Sequence, residues 1–440
     1  MSQSVKNSLA LRGRIAYFVG DPNVSADNLV YLEDGVLLVE DGKVRSCADA
    51  QKMETEGFDL SQCDWLPDQI ILPGFIDMHV HSPQVDVIAS YGTQLLDWLN
   101  NYTFPAESQY ADSAYAQASA NDFLDYSLSV GTTTSFVYTT SYKQSTEALF
   151  EAALSRDMRL VAGKVLMDQN APPALQDTAQ SGYEDSSALI QKWHGKGRLG
   201  YAVTPRFSGT SSVEQLQLAG KLLQEYPDVW MQTHMSEDLE EIRWLKEVHP
   251  HTADYLDSYD RYGLNTERSI FGHCIYMSDE EIIRLADSGG RIAFCPTSNL
   301  FLGSGLMPIE KLKQAGIPIS IATDVGGGTS LSMLTTLGEA YKVCQMQGYS
   351  MHAYEAFYMM TLGNARAAHL DTHIGNFEVG KEADIVVLDS EPTPMMTRRL
   401  RQCDRLDEEL FVYMMMGDDR SVERTYCHGV KQYDKNELTA

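Results

Sequence analysis

The sequence predicts an α/β fold: a (β/α)8 barrel of the TIM type, with a small β-sandwich domain formed by both chain termini. Three observations lead there. From about residue 70 to 370, apolar β-branched runs alternate with longer stretches of helical period. Eight such strand-then-helix units over about 300 residues fit a barrel whose usual size is about 250. Outside that stretch both ends of the chain read as short strands broken by turns. The expected division is 1–69 and 371–440 for the two parts of the sandwich domain and 70–370 for the barrel.

At the N-terminal end, residues 36–40 and 43–47 flank Asp41-Gly42, a tight hairpin signal. The barrel strands are expected at 70–81, 132–139, 159–168, 200–207, 230–237, 269–276, 291–296 and 317–324. Amphipathic segments such as 112–128, 212–225 and 278–288 lie between them. At the C-terminal end, 383–388 reads as a strand and 425–433 as a hairpin turning at His428-Gly429. A doubly wound sheet is the alternative, but no Gly-x-Gly-x-x-Gly fingerprint follows the first barrel run.

The 440 residues carry 34 Lys+Arg against 61 Asp+Glu, a formal charge of −27. With 43% hydrophobic and 10% aromatic residues the chain can still build a core, which excludes a disordered acidic chain. The same charge repels nucleic acid and anionic membranes as partners. No run approaches 18 apolar residues, and Met1-Ser-Gln-Ser-Val-Lys6 lacks the pattern of a secretory signal, so a cytoplasmic protein is expected. The seven cysteines are scattered without a C-x-x-C pair, which speaks against disulfides and cysteine metal knuckles.

Barrel chemistry sits at the carboxyl ends of the strands. The first run ends Asp77-Met-His79-Val-His81, and residues two apart on a strand share a face, so both imidazoles reach the barrel mouth. The fifth run ends His234-Met-Ser-Glu237, the sixth contains His273 and the eighth ends Thr323-Asp324. A single histidine here would more often be a hydrogen-bonded interior residue, and Asp324 alone a helix cap. Ligand-type residues at four strand ends together point to a metal centre with room for water. The other histidines (194, 249, 251, 352, 369, 373, 428) fall in helices or loops and read as surface or structural.

Those residues, with Leu72-Pro-Gly-Phe-Ile-Asp-Met-His-Val-His81 and Gly375-Asn-Phe-Glu-Val-Gly-Lys-Glu-Ala-Asp384, resemble the amidohydrolase superfamily nearly end to end. Longer segments, Gln94 to Glu107, Lys164 to Ala171, Thr204-Pro-Arg-Phe207 and Cys295-Pro-Thr-Ser-Asn299, resemble its purine-deaminating branch. The resemblance implies hydrolytic deamination of guanine and one divalent metal, zinc or else iron, held by His79, His81, His234 and Asp324. It also implies a homodimer. Asp324 is then placed to take a proton from water, His273 to orient it and Glu237 to protonate a ring nitrogen. Gln84, Arg206 and Phe207 are implied as substrate contacts beside His234, Glu237 and Asp324. By position alone Arg206 is equally a salt-bridge partner and Phe207 a core residue.

Binuclear members of the superfamily use a lysine on strand four. Here that strand ends Val203-Thr-Pro-Arg206, and Lys164 lies on strand three as a structural residue, which favours one metal. Residues 91–107 read either as an amphipathic helix packed on the barrel or as a lid. The competing functions are deamination of cytosine, adenosine-like or triazine substrates, and a barrel scaffold without catalysis.

Overall fold

The computed structural model describes residues 8–92 and 95–437; Met1–Lys6, Thr93 and Gln94, named above, lie outside the described residues. In chain order the strands are β1 Ser8–Phe18, β2 Leu29–Glu40, β3 Lys43–Asp49 and β4 Asp64–Pro73. Then come β5 Phe75–His81, β6 Thr132–Tyr138, β7 Arg159–Gly163, the two-residue β8 Val165–Leu166 and β9 Leu199–Pro205. β10 Trp230–Met235, β11 Ser269–His273, β12 Arg291–Phe294 and β13 Ile319–Ile321 follow, and the chain returns with β14 Ile385–Leu388, β15 Val422–Cys427 and β16 Val430–Asp434.

Strands β5 to β13 pair in parallel in chain order around the barrel, with β8 paired beside them on β9. Among the described residues no strand pairing is formed between three-residue β13 and β5, and the ring closes there through side chains and loop backbone. The Asp324 N–H donates to His79 O at 2.8 Å and the His81 N–H to Val325 O at 2.6 Å. Below them the buried Asp77 carboxylate accepts the Thr323 hydroxyl at 2.5 Å and its N–H at 3.0 Å. Burial raises the Asp77 pKa to about 6. Small side chains, Ala202, Ala293 and Ala322, share the barrel interior with Ile76, Met78 and Phe136. The expected amphipathic segments are the outer helices Ser113–Ser129, Val213–Glu225 and Asp279–Ser288, capped by Asp112, Ser212 and Ser278.

The terminal strands form one seven-stranded mixed sheet in the order β16-β15-β14-β4-β1-β2-β3. The β2–β3 turn comes back against the segment before β14, where the Ala383 N–H reaches Gly42 O at 2.8 Å and the Val44 N–H reaches Lys381 O at 2.8 Å, and the sheet wraps a core including Leu11, Ile15, Leu37, Ile71 and Val387. Both predicted hairpins turn through left-handed pairs, Asp41 (φ 50°) with Gly42 (φ 77°) and His428 (φ 49°) with Gly429 (φ 75°).

Three details differ from the sequence expectation. The run 70–81 is two strands in two sheets: β4 pairs with β1 and β14, β5 with β6, and Gly74 passes between them where a Cβ would lie 2.1 Å from the Thr133 hydroxyl. The run 159–168 breaks at Lys164. The C-terminal part is not all strand, because helices Pro394–Leu400 and Leu406–Met416 separate β14 from β15.

Candidate active site

Four expected ligands meet at the carboxyl end of the barrel. His234 Nε2 lies 3.2 Å from His79 Nε2 and 3.1 Å from His81 Nε2, and Asp324 Oδ1 lies 3.3 Å from each of those two imidazoles. A tetrahedral ion with bonds of about 2.0–2.1 Å holds its ligands ~3.3 Å apart, so these separations fit a tetrahedral ligand set. The chemistry fits as well. His234 donates from Nδ1 to Arg206 O at 2.7 Å, which leaves the Nε2 lone pair toward the cluster. Burial pushes the His81 pKa down to about 3, and burial with the neighbouring imidazoles puts His234 well below its ordinary value, so both are neutral donors. Burial opposes ionisation of Asp324, but His79, His81 and His273 outweigh it and hold the carboxyl well below its usual range.

A second grouping, His79, His273, Cys295 and Asp324, is also compact. Burial drives the Cys295 thiol well above its ordinary pKa and its Sγ donates to Ala293 O at 3.4 Å, so it is a poor anionic ligand. Lys164 is away from the cluster, its ammonium 2.5 Å from Asp177 Oδ2.

The rings are set by packing. The His79 and His81 Nδ1 atoms are buried without a hydrogen-bond partner, and both rings lie against buried Tyr138, with centroids 4.5 and 4.6 Å away. A Cβ on Gly272 would come within 2.7 Å of His79 Cε1, so this position of β11 needs glycine. Ser236 (φ 51°), His273 (φ 71°) and Asp324 (φ 49°) take left-handed backbone where the strands end. Such strain in residues with a Cβ is found where a site is over-determined by its surroundings.

Beside the cluster, Asp324 Oδ2 lies 3.6 Å and Glu237 Oε2 3.3 Å from His273 Nε2. His273 Nδ1 pairs with Asn299 Oδ1 at 2.8 Å, and the Ser304 hydroxyl donates to Glu237 Oε1 at 3.1 Å. Burial, then the Asp324 charge, raises the Glu237 pKa well above the ordinary range. Next to it Glu241 accepts the Glu237 and Asp238 N–H groups at 3.1 and 3.3 Å and the Tyr255 hydroxyl at 2.5 Å. Glu241 and the cap Asp238 form a capping box on the helix Leu239–Val248, which fixes the loop carrying Glu237.

His81, His234, Glu237, Glu241 and Asp324 line a cavity that also reaches Gln84, Arg206 and Phe207. Residues 95–108 form its apolar wall, with Leu95, Leu96, Trp98 and Leu99 facing it. This wall is helical throughout, with a π turn over Leu99–Thr103 between Leu95–Trp98 and Phe104–Ser108. The Arg206 guanidinium is paired as well as placed at the cavity: Nη1 donates to both oxygens of the fully buried Glu107 at 2.7 and 2.8 Å. Gln84 Nε2 donates to the same carboxylate at 3.0 Å, and its Oε1 accepts the Gly326 N–H at 3.1 Å.

The structure thus gathers every expected site residue and adds Glu107, Asn299, Ser304, Glu241 and Tyr138. Glu107 and Asn299 lay in segments that carried the resemblance, a signal without a role attached. Ser304, Glu241 and Tyr138 had none.

Residues 70–431 match the amidohydrolase family, and the chain belongs to that family. Within it, the chain is 46% identical over 418 residues to guanine deaminase of Escherichia coli (strain K12), covering 95% of each protein. The solved structure of E. coli guanine deaminase superposes with a TM-score of 0.94 at 45% identity, over 98% of this chain and 100% of that one. Guanine deaminase from C. acetobutylicum, solved with guanine bound in its active site, superposes with a TM-score of 0.85 at 29% identity, over 97% and 100%.

Proposed function

We propose that this site hydrolyses guanine to xanthine and ammonia with one divalent metal per chain, zinc by its ligand set, held by His79, His81, His234 and Asp324. The observation that carries the reading is one cavity in which the Glu237 carboxyl, His81, His234 and Asp324 of the proposed ligand set, and the Arg206 guanidinium all meet. The 46% identity to an E. coli guanine deaminase over 95% of both chains supports the same substrate.

An ion held there would supply water that ionises near neutral pH, against 15.7 in bulk. The residues do the rest. Asp324 Oδ2 and His273 Nε2 accept and orient that water's protons on the face shared with Glu237, and Asn299 fixes which His273 nitrogen does so. Glu237 gives its proton to the ring nitrogen beside carbon 2. The water oxygen bonds to carbon 2 as Asp324 takes its first proton. Glu237, now a carboxylate, takes the second and passes it to the exocyclic nitrogen, the bond from carbon 2 to that nitrogen breaks to release ammonia, and the proton on Asp324 restores the Glu237 acid. One guanine and one water give one xanthine and one ammonia.

Arg206 is the donor suited to the acceptors of guanine, its oxo group and nitrogen 7. Its N–H groups beyond the Glu107 contact serve that edge. Gln84 keeps one N–H and one oxygen lone pair for an amide edge of the base, and Phe207 packs on the ring. The wall 95–108 excludes water, which strengthens every charge interaction inside. A homodimer belongs to the same reading and is checked by the mass in solution.

Ammonia release measured over guanine, adenine, cytosine, adenosine and ammeline, with and without chelator, tests the proposal. Guanine is expected to be turned over fastest and only with metal. Metal-loaded protein that prefers another of these substrates would replace guanine in the account.

A further inference from the structure

Glu107 has no part in the chemistry just described, yet its side chain is 0% exposed and holds both Arg206 and Gln84. Burying a carboxylate is costly unless its partners repay the lost water. The fold accepts that cost at the end of the cavity wall, on the helical turn Phe104–Ser108. The charged and titratable groups around Arg206 are Glu107, Glu237, Glu241 and Asp324, with the imidazoles of His81 and His234. Among them Glu107 is the one ion-paired to the guanidinium.

The two purines of the reaction differ in charge. Guanine is neutral at neutral pH. Xanthine carries a second oxo group in place of the amino group, which makes it the stronger acid and partly anionic under the same conditions. A buried arginine with no counter-charge would hold the anion more tightly than the neutral base. Resting on the guanine reading, we propose that Glu107 is a positioning residue that cancels the charge of Arg206 while leaving its N–H groups in place. The recognition pair then selects a neutral purine and lets the oxopurine anion go. The same salt bridge ties the cavity wall to β9, so the wall's position and the arginine's charge are set by one contact.

The test compares the metal-loaded enzyme with its Glu107→Gln and Glu107→Asp variants, measuring metal content, guanine kcat and KM, and xanthine inhibition at neutral and alkaline pH. Glu107→Gln is expected to keep its metal, raise KM for guanine more than it lowers kcat, and bind anionic xanthine about ten- to a hundredfold more tightly. Glu107→Asp, which keeps the charge, is expected to leave xanthine inhibition weak. Parallel weakening of guanine and xanthine in Glu107→Gln, or no change in either, would overturn the proposal. Should that variant fail to fold, the unaltered enzyme still decides: inhibition must weaken as xanthine ionises, and tightening contradicts the proposal. Equilibrium binding of xanthine gives the same comparison without turnover, so a failure of the guanine reading stays distinguishable from a failure of this one.

Discussion

The two ends of the barrel both bury charge, and they treat it in opposite ways. At the closed end, where the barrel meets the terminal sheet, cations and carboxylates are matched. Arg198 binds Asp384 through Nη1 at 2.9 Å and Glu382 through Nε at 2.8 Å, and Arg159 shares Glu382 at 2.9 Å. His428 closes the set, its N–H on Asp384 Oδ1 at 2.9 Å and its ring on Asp157 at 2.6 Å. Burial would raise the Glu382 pKa, and the two arginines bring it below the ordinary value instead. At the open end Arg206 and Glu107 form one matched pair, but beside it three imidazole nitrogens converge on one carboxylate and two carboxyls flank His273. There His79 Nδ1, His81 Nδ1, His273 Nε2 and the Tyr138 hydroxyl are buried without a hydrogen-bond partner among the described residues. The closed end is arranged for stability. The open end gathers ligand-type groups, as the proposed metal and substrate require.

Substitutions at the two ends should therefore separate activity from stability. The largest expected effect is at the open end, where Glu237→Gln should lower kcat about 10²–10⁴-fold with metal content and melting temperature little changed. Near-normal turnover in metal-replete protein would remove Glu237 as the acid. At the closed end, Arg198→Ala leaves Asp384 and Glu382 short of a cation and should cost about 3–5 kcal/mol of stability in denaturant unfolding. The kcat of the folded fraction should stay close to normal, and a selective loss of kcat there would erase the division between the ends.

The smallest effect concerns Glu241, whose pKa burial, with Glu237 nearby, raises from 4.5 to about 7. A carboxyl raised on folding binds more protons folded than unfolded between those values, so it favours the folded state at low pH and loses that contribution as pH rises through about 7. Glu241→Gln should flatten the pH dependence of unfolding free energy in that window, by up to about 1.4 kcal/mol per pH unit. An unaltered slope would mean that Glu241 is already ionised in the folded protein.

Much of the open end was legible because strand periodicity and barrel geometry put His79, His81, His234 and Asp324 at strand ends, where residue type alone speaks. Glu107 was not legible in that way. It sits on a helical wall, far in sequence from Arg206, and only the folded chain brings the two within 2.7 Å. Asn299 and Ser304 serve through single hydrogen bonds, which leave no period or spacing. The break at Gly74 was hidden because both strands it joins are apolar, so one continuous run served two sheets. The helices Pro394–Leu400 and Leu406–Met416 were missed within an end whose hairpin and strand signals were strong. Leu406–Met416 is apolar on more than one side, and its Phe411 ring packs 5.1 Å from Tyr341 of the barrel helix Met333–Met346.

The central claim is that one ion in the His79, His81, His234 and Asp324 cluster activates water for guanine. It is tested most directly by stripping the metal and adding zinc back in measured steps while following guanine deamination. Activity should rise in proportion to zinc and level off at about one equivalent per chain. A plateau at two equivalents, or metal-loaded protein that releases no ammonia from guanine, would contradict it.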